Sequence, residues 1–531
     1  MNFLGKIVKF LLIVAVIGLF IWLTLNLFFP EMYKKLEAQF LPYLKPVAES
    51  VGVDTASNSA PVIAERENLT IAFAQPIEEL EPTFMDPETR NRLVQIYEPL
   101  VKTDRFLNIS GALAMNYGQI DDKTWTFKIR PNVSFHNLKT LDVNDVYASF
   151  MRAQNFSKSQ MKNLVAGMHI EVVDKDTLKI TTDVPDPLFL QKLSFVLIMP
   201  KDAADSESVK PVGTGSYRFV EWRKHEQMTF ARYDNYWGEK PYVKNLKFVI
   251  MPDPEQRIKA ISGGQVDLLA NVPPSYIESL NKSKVDIKTM PSLEVTFLMF
   301  NMNSGVFSKK EMREAAAMSI DKKRFMLSSV GYTKAVNQFV SSGVFGFNQS
   351  ILGVQYDSEK AVKSISVISE FESIPIKLVV PAGMVDVGKE IASMLDQSGF
   401  AVTILSKAPE EFEASFNDDS VDLYLMGWKS DMGDAYDFLH AIVHSKDEKK
   451  SFGMYNAGRY SNANIDKVIE ENLQEMNMVK RLKAFQDIMK VITEDDLIGI
   501  PLFETQIIYG VSKDIKFDPR ADGRIFVSEI M

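Results

Sequence analysis

Pro211-Val-Gly-Thr-Gly-Ser-Tyr-Arg-Phe-Val-Glu-Trp222 is the stretch of this chain that decides the fold. Glycine adopts positive φ angles without steric cost, so Gly213 and Gly215 predict a turn. The alternation of Tyr217 and Phe219 with polar residues predicts that a half-buried strand follows the turn. The stretch is therefore typical of a structural turn that leads into a strand.

The two glycines of this turn also invite comparison with phosphate-binding loops. A Walker loop needs Gly-Lys-Ser/Thr after four intervening residues, and a dinucleotide loop needs a third glycine that opens a helix. Neither pattern is present around Gly213-Thr214-Gly215. Further along, Gly263-Gly264 is expected to end a helix over residues 255–262, which is a common use of glycine.

Length and composition predict an acidic globular protein with more than one domain. The chain has 531 residues, 46% of them hydrophobic and 24% charged, and a net charge of −9. This charge argues against a nucleic-acid partner, because proteins that bind phosphate backbones are usually basic. The absence of cysteine excludes disulfides, thiol nucleophiles and thiolate metal sites.

The N-terminal segment predicts a membrane anchor. Residues 10–29 are apolar apart from Thr24 and Asn26, and 20 helical residues span about 30 Å, the thickness of a hydrocarbon core. Lys6 and Lys9 precede the segment and favour a cytoplasmic N-terminus. A cleaved signal peptide is the alternative, but no small-x-small cleavage site follows. We therefore expect residues 1–30 to form an uncleaved single-pass anchor in the inner (cytoplasmic) membrane, with a periplasmic or extracellular globular part.

The rest of the chain predicts an α/β protein on a stalk. Residues 31–66 are expected to form a juxtamembrane helix and a flexible linker. Strand-like alternation over 123–130 and 177–182 is mixed with helical patterns over 309–319 and 464–477. Strands and helices mixed throughout a chain indicate α/β layers.

An ordered series of motifs runs along residues 68–531. Its members are Leu80-Glu-Pro-Thr-Phe84, Ile96-Tyr-Glu-Pro-Leu-Val-Lys-Thr-Asp104, Gly111-Ala-Leu-Ala114, Thr124 to His136, Leu141-Asp-Val-Asn-Asp-Val146, the opening stretch, Asp234-Asn-Tyr-Trp237, Gln256 to Asp267, Phe300-Asn301, Met312 to Asp321, Asp422-Leu-Tyr-Leu-Met-Gly-Trp428 and Ile500-Pro-Leu502. The series resembles the family 5 extracytoplasmic solute-binding proteins, the oligopeptide- and dipeptide-binding components of ABC importers. Asn137-Leu138 stands where the family usually has Asp-Gly, so we expect that turn to be built differently.

The resemblance implies a two-lobed, type II periplasmic-binding-protein (Venus-flytrap) fold with a hinge. The first lobe would comprise residues 67–295 and 505–531, with 89–210 as an inserted subdomain, and the second lobe residues 296–504. Two extended segments, 294–301 and 498–503, would cross between the lobes.

The resemblance also implies a ligand site at the end of one strand. Asp431 occupies the position whose carboxylate pairs with the α-ammonium of a peptide, while Met426, Gly427, Trp428 and Lys429 would supply backbone groups to an extended peptide. Trp428 would also be a pocket wall. Met432 and Ala435 stand where an aromatic residue and a proline are usual, and a solvated loop carboxylate remains the alternative for Asp431.

No other group of residues predicts a metal site or a catalytic site. His440 and His444 have metal-ligand spacing on a helix, but no third ligand can be chosen, so no metal or other cofactor is expected. No nucleophile, base and acid can be grouped either, so the protein is not expected to be an enzyme. The expected partners are a peptide, an ABC permease and the cytoplasmic membrane. A tethered sensor or assembly module with the same fold is the alternative, and nickel, haem and sugar ligands stay open.

Overall fold

The computed structural model describes residues 65–204, 211–281, 285–328, 332–368 and 373–531. The predicted anchor and nearly all of the predicted stalk lie outside these residues. Within them, no helix combines the length and apolar character needed to cross a bilayer. The anchor over residues 1–30 therefore stays a prediction.

The described residues form a mixed α/β structure with seventeen strands. The strands are β1 (Arg66–Phe73), β2 (Val101–Thr103), β3 (Ile109–Gly111), β4 (Ala114–Asp121), β5 (Thr124–Ile129), β6 (Met168–Val172), β7 (Thr177–Thr182), β8 (Tyr217–Arg223), β9 (Gln227–Arg232), β10 (Val243–Ile250), β11 (Leu268–Leu269), β12 (Val285–Phe300), β13 (Thr333–Ala335), β14 (Ile374–Pro381), β15 (Phe400–Lys407), β16 (Leu423–Lys429) and β17 (Gly499–Ser512). The strands predicted over 123–130 and 177–182 are confirmed as β5 and β7.

One large sheet runs through both predicted lobes, in the order β15-β14-β16-β12-β17-β11-β1-β10-β9-β8. Its centre is the long antiparallel pair β12 and β17, matched from Val285 opposite Ser512 to Met299 opposite Gly499. The two predicted crossing segments lie in this pair. The register shifts between Pro291 and Val295, which interrupts the ladder next to the predicted hinge. The lobe boundaries themselves stay predictions.

A second sheet, in the order β4-β5-β7-β6, lies within the predicted inserted subdomain. A core cluster of its own packs on this sheet and includes Phe127 and Phe150. Another cluster joins β1, β10 and the C-terminal residues, and contains Ile71, Phe248 and Ile525. The C-terminus therefore returns to the core that the N-terminal strand begins.

Helices cover the sheets and connect their strands. They are α1 (Pro87–Ile96), α2 (Val143–Asn155), α3 (Phe189–Leu193), α4 (Lys201–Ala204), α5 (Pro254–Ser262), α6 (Ile277–Asn281), α7 (Lys310–Ser319), α8 (Lys323–Ser328), α9 (Ser358–Ile368), α10 (Val385–Asp396), α11 (Pro409–Ala414), α12 (Tyr436–Phe438), α13 (Ala463–Asn472) and α14 (Met478–Lys490), with π-helical turns at Leu439–Val443 and Val491–Asp495.

Sequence and structure agree on most helix ends. Helix α5 ends at Ser262, and Gly264 after it has a φ angle of 71°, as the glycine pair predicts. The helix predicted over 464–477 is too long, because α13 ends at Asn472. Asn477 instead caps α14, since its side chain accepts hydrogen bonds from the backbone N–H groups of Val479 and Lys480.

The opening stretch holds three parts of the first lobe together. The backbone N–H of Gly215 donates to the carbonyl of Ile96 at the end of α1, at 2.8 Å. The imidazole Nε2 of His136 lies 2.9 Å from the Gly215 carbonyl oxygen, and the His136 N–H donates to the Gly213 carbonyl at 2.9 Å. A side chain at Gly213 would collide with the Ile96 carbonyl, so glycine is needed for close approach.

The turn after His136 is formed by Asn137 and Leu138. Leu138 has a φ angle of 68°, the left-handed conformation that glycine adopts more readily. Its N–H donates to the Phe135 carbonyl at 2.8 Å, and the Asn137 side chain accepts from the Lys139 N–H at 3.1 Å. These two hydrogen bonds hold the turn without a glycine.

Candidate functional site

Strand β16 has an unpaired edge at the positions predicted to bind a peptide. On one side, residues 423–429 pair with β12, from Leu423 opposite Phe300 to Lys429 opposite Glu294. On the other side β14 pairs only with Leu423 and Tyr424. Throughout the described part of the chain, no strand pairs with residues 425–429 on that side. Such an edge can add an extended chain by backbone hydrogen bonding.

The side chains of this strand point in different directions. Met426 is buried in the core cluster beneath the strand, so it offers only backbone groups to a ligand. Gly427 is exposed, and a Cβ there would lie 2.9 Å from Oε1 of Glu294. Trp428 is half-buried, with its ring centroid 5.8 Å from that of Tyr455. Trp428 and Tyr455 together form an aromatic surface beside the unpaired edge.

Asp431 lies in an exposed loop just after β16. Its side chain is 66% exposed, and its Oδ1 lies 2.9 Å from the Nζ of Lys429. Glu294 faces Lys429 across the ladder, and burial raises the pKa of the Glu294 carboxyl. The structure therefore brings the predicted residues Lys429 and Asp431 together, and adds Glu294 to the same cluster.

Buried contacts hold the loop that carries Asp431 in place. Asp434 and Arg481 are both buried and form two hydrogen bonds, of 2.5 and 2.9 Å. Asp434 also accepts from the Tyr436 N–H at 2.9 Å, which starts helix α12. Gly433 has a φ angle of 68°, a conformation that costs other residues more than glycine. The buried pair and the glycine together fix the path of residues 430–435.

Residues of the first lobe reach this loop although sequence reasoning did not identify them. A Cβ at Gly433 would lie 2.8 Å from Cδ1 of Leu107, so the two residues are in close contact. Leu107 packs against the core cluster that contains Met426 and Ala435, and Ala521 is a member of that cluster. Burial lowers the pKa of Arg524, and the carboxylates of Asp522 and Asp431 oppose that shift. No local pattern in the sequence marks Leu107, because it approaches the loop from a distant part of the chain.

Asp437, one turn further on, is a carboxyl group in an apolar setting. Its pKa is raised to about 8, mainly by burial and also by the carboxylates of Asp434 and Asp431, against the hydrogen bond from the Phe438 N–H. The indole N–H of Trp428 has no partner at good hydrogen-bonding geometry, yet it lies near enough to lower the pKa of Asp437. Asp437 therefore keeps its proton at neutral pH, directly beneath the candidate site.

The raised pKa of Asp437 predicts a pH-dependent stability. Between about pH 4 and pH 8 the folded state binds a proton at Asp437 that the unfolded state has released. The free energy of unfolding should therefore fall as the pH rises through this range, by up to about 1 kcal/mol per pH unit from this group. Asp437→Asn should remove that slope in urea denaturation curves measured from pH 4 to pH 8.

The matched control for this measurement is Asp419→Asn, since the Asp419 side chain is 82% exposed in the same lobe. This control should leave the slope unchanged. A slope that survives in the Asp437→Asn variant would show that Asp437 does not hold a proton in the folded state.

The histidine pair belongs to an aromatic cluster. The His440 and His444 rings lie 4.8 and 4.4 Å from the ring of Phe452, centroid to centroid. Burial lowers the pKa of His440 to about 4. Of the residues that the structure describes, no three His, Asp or Glu side chains are grouped as metal ligands. Packing against Phe452, and for His444 also hydrogen bonds with the Ser445 carbonyl and Glu470, account for the positions of the imidazoles.

Comparisons with known proteins agree with this architecture. A probable D,D-dipeptide-binding periplasmic protein of Escherichia coli K12 is 24% identical over 428 residues, which cover 77% of this chain and 82% of the relative. Heme-binding protein A of Haemophilus influenzae is 26% identical over 454 residues, with coverages of 77% and 81%. Both relatives are matched over most of their length.

A solved structure shows the same fold. The ABC transporter-associated periplasmic binding protein of Helicobacter pylori, in complex with the peptide STSA, superposes with a TM-score of 0.71 at 20% identity, over 87% of this chain and 98% of that one. The α/β fold is thus that of the periplasmic binding proteins. A family model described as bacterial extracellular solute-binding proteins, family 5, matches residues 108–450, more than half of the chain. The protein belongs to the family 5 bacterial extracellular solute-binding proteins.

Proposed function

We propose that this protein is a membrane-anchored, extracytoplasmic solute-binding protein that captures oligopeptides between its two lobes and delivers them to an ABC permease. The first lobe would comprise residues 67–295 and 505–531, and the second residues 296–504. A ligand that contacts both lobes binds the closed form more tightly than the open form. It therefore shifts the population towards the closed form. About 5.5 kcal/mol of such difference shifts a 1:99 population to 99:1.

The observation that carries this proposal is the unpaired edge of β16 at residues 425–429, next to the carboxylate of Asp431. Backbone groups on a strand edge bind any extended peptide, because they do not depend on the side chains of the ligand. A carboxylate beside that edge can fix the position of the terminal ammonium. Trp428 and Tyr455 would bound the same groove.

The Lys429 ammonium already contacts Asp431 at 2.9 Å, so a ligand ammonium would share or replace that contact. We infer that Lys429 and the ligand would compete for the same carboxylate. A peptide blocked at its N-terminus would gain nothing from Asp431.

Asp431→Ala should weaken the binding of trialanine about 10- to 100-fold, the range expected when one charge-assisted hydrogen bond is lost. N-acetyl-trialanine lacks the ammonium, so its affinity should change by less than about 3-fold. Isothermal titration calorimetry on the full chain measures both affinities.

Two variants control this experiment. Asp419→Ala removes another exposed carboxylate, which pairs with Arg459, and should change neither affinity. Lys429→Gln removes the competing ammonium and should preserve the discrimination between free and acetylated peptides. If Asp431→Ala weakens the binding of both peptides equally, Asp431 does not bind the terminal ammonium.

The alternative functions are separated by the ligand that purifies with the protein. Mass spectrometry of the denatured protein should release a mixture of short peptides. Haem or nickel in their place would contradict the peptide ligand. A protein that carries no ligand and binds no peptide pool would instead favour a tethered sensor or assembly module.

A further inference from the structure

A leucine in the turn between β2 and β3 touches the loop of the candidate site. The turn comprises residues 104–108 and belongs to the predicted inserted subdomain. A Cβ at Gly433 would lie 2.8 Å from Cδ1 and 3.9 Å from Cβ of Leu107, so the two residues pack directly against each other. Gly433 lies two positions after Asp431. Leu107 therefore joins the proposed first lobe to the loop that carries the candidate ligand group.

The same leucine packs on the core of the proposed second lobe. Among the described residues of that core cluster, all except Leu107 and Ala521 lie between residues 290 and 498. Separating Leu107 and Ala521 from the cluster would expose apolar surface to water, which costs free energy in proportion to the area exposed. The contact therefore favours the arrangement in which the two proposed lobes touch at this point.

The turn is held in shape by its own hydrogen bonds. The Asp104 carboxylate accepts from the backbone N–H groups of Phe106 and Asn108, at 2.8 and 2.9 Å, and from the Asn108 side chain at 2.9 Å. Leu107 has a φ angle of 68°, a conformation that costs a leucine more than a glycine. Such a conformation persists only where the surrounding structure fixes it. The turn therefore presents Leu107 to Gly433 in a preformed position.

The C-terminal segment supports the turn. Arg520 is buried, and its Nη2 donates to the Thr103 carbonyl at 2.9 Å. The Ala521 N–H donates to the Arg105 carbonyl at 3.0 Å, and Ala521 belongs to the cluster on which Leu107 packs. The turn and the C-terminal segment are therefore tied together and contribute to the same contact.

The inserted subdomain also faces the proposed second lobe across a cavity of about 340 Å³. This cavity is lined by residues 182–188 of the subdomain and by Tyr436 and Arg481. Arg481 is the residue that pairs with Asp434 behind the loop. A cavity separates the two sides here, whereas at Leu107 they are in direct contact. A relative movement of the subdomain would therefore act on the loop through Leu107.

We propose that Leu107 is a latch on the closed form: it packs against Gly433 when the lobes close on a ligand, positions the loop that carries Asp431, and so slows the release of the ligand. The inference rests on the proposed peptide capture and adds a positioning residue outside the strand that would hold the peptide. A contact made only in the closed form opposes opening and leaves the first encounter with the ligand unchanged. Its loss should therefore act on the dissociation rate.

Leu107→Ala should raise the rate of trialanine release about 10-fold and leave the association rate within about 3-fold, because the packing that opposes opening is lost. Stopped-flow fluorescence on the full chain measures both rates, with Trp428 beside the candidate site as a reporter. Leu107→Met keeps nearly the same side-chain volume and should restore slow release. A loss of folded protein alone would lower the signal amplitude without changing the release rate.

Phe106→Ala is the matched control. Phe106 is the neighbouring residue in the turn, but its side chain is 60% exposed and lies 4.7 Å from the Arg105 guanidinium. This variant should leave both rates within about 2-fold, as is usual for substitutions at the surface.

An engineered crosslink tests the contact directly. The chain has no cysteine, so Leu107→Cys combined with Gly433→Cys supplies one defined pair of thiols. The distance of 3.9 Å between the two Cβ positions lies within the range of about 3.5–4.5 Å that disulfides require. When it is loaded with trialanine and then oxidised, this variant should release the peptide at least about 10-fold more slowly than after reduction. The reduced form carries the same substitutions, so the comparison isolates the crosslink.

Two outcomes would overturn the latch while the proposed peptide function stands. One is a Leu107→Ala variant that releases trialanine as slowly as the unmodified protein. The other is equal release from the oxidised and reduced crosslink variants, which would mean that Leu107 and Gly433 stay together in the open form. A protein that binds neither trialanine nor a pool of peptides would overturn the proposed function and the latch together.

Discussion

Arg481→Ala should lower the free energy of unfolding by about 3–5 kcal/mol, the usual cost of removing one partner of a buried ion pair. Arg481 is completely buried and donates two hydrogen bonds to Asp434. Its guanidinium also lies 4.5 Å from the Phe485 ring centroid, and its Nε donates to the Asn472 carbonyl. Without Arg481, the Asp434 carboxylate stays buried and has no counter-charge. Urea denaturation followed by tryptophan fluorescence measures this loss.

Lys483→Ala on the same helix is the matched control. Lys483 forms an exposed pair with Asp487 one turn away, and such pairs contribute about 0.3–0.5 kcal/mol. If the two variants lose similar amounts of unfolding free energy, the Arg481–Asp434 pair is not shielded from solvent, and its burial does not have the expected energetic effect. Because Asp434 fixes the loop that carries Asp431, Arg481→Ala should also weaken trialanine binding, and Lys483→Ala should not.

Gly213→Ala should destabilise the protein by about 3 kcal/mol, at the upper end of the usual cost of overpacking. A Cβ at Gly213 would lie 2.0 Å from the Ile96 carbonyl oxygen and 2.8 Å from the Tyr97 ring. The carbonyl belongs to the last turn of α1, so the clash cannot be relieved by a side-chain rotation. The same denaturation measurement reports the change.

Gly118→Ala in β4 is the control, because a Cβ there has no heavy atom within 4 Å. Glycine is less favourable than alanine within a strand, so this control should be neutral or stabilise by about 0.5 kcal/mol. A Gly213→Ala variant as stable as the Gly118→Ala variant would mean that α1 and the opening stretch can separate without cost.

Much of the fold could be predicted from local patterns. The strands β5 and β7, the helix α5 and its glycine end were recognised because alternation and end signals lie within a few residues of each other. The predicted end of α13 was wrong, since residues 473–477 continue the helical pattern although Asn477 caps the next helix. The two histidines were predicted on one helix face, but His440 lies in the π-helical turn Leu439–Val443 and His444 follows it, and only the fold shows that Phe452 packs against both rings.

The candidate site could be predicted only in part. Lys429 and Asp431 are two residues apart, so their contact follows once β16 is recognised. The unpaired edge of β16 was not predictable, because it depends on where β14 stops pairing. Arg481, which fixes the loop, lies on a distant segment and carries no motif of its own.

The sequence by itself determined the α/β class, the family and the strand that carries the candidate site, because ordered motifs and short-range periodicity are encoded in neighbouring residues. The tertiary structure alone decided which groups surround that strand. The long pairing of β12 with β17 brings the C-terminal segment back to the core that β1 begins, where Ile525 packs with Ile71 and Phe248. Such contacts result from the path of the whole backbone, and no local pattern of residue types specifies that path.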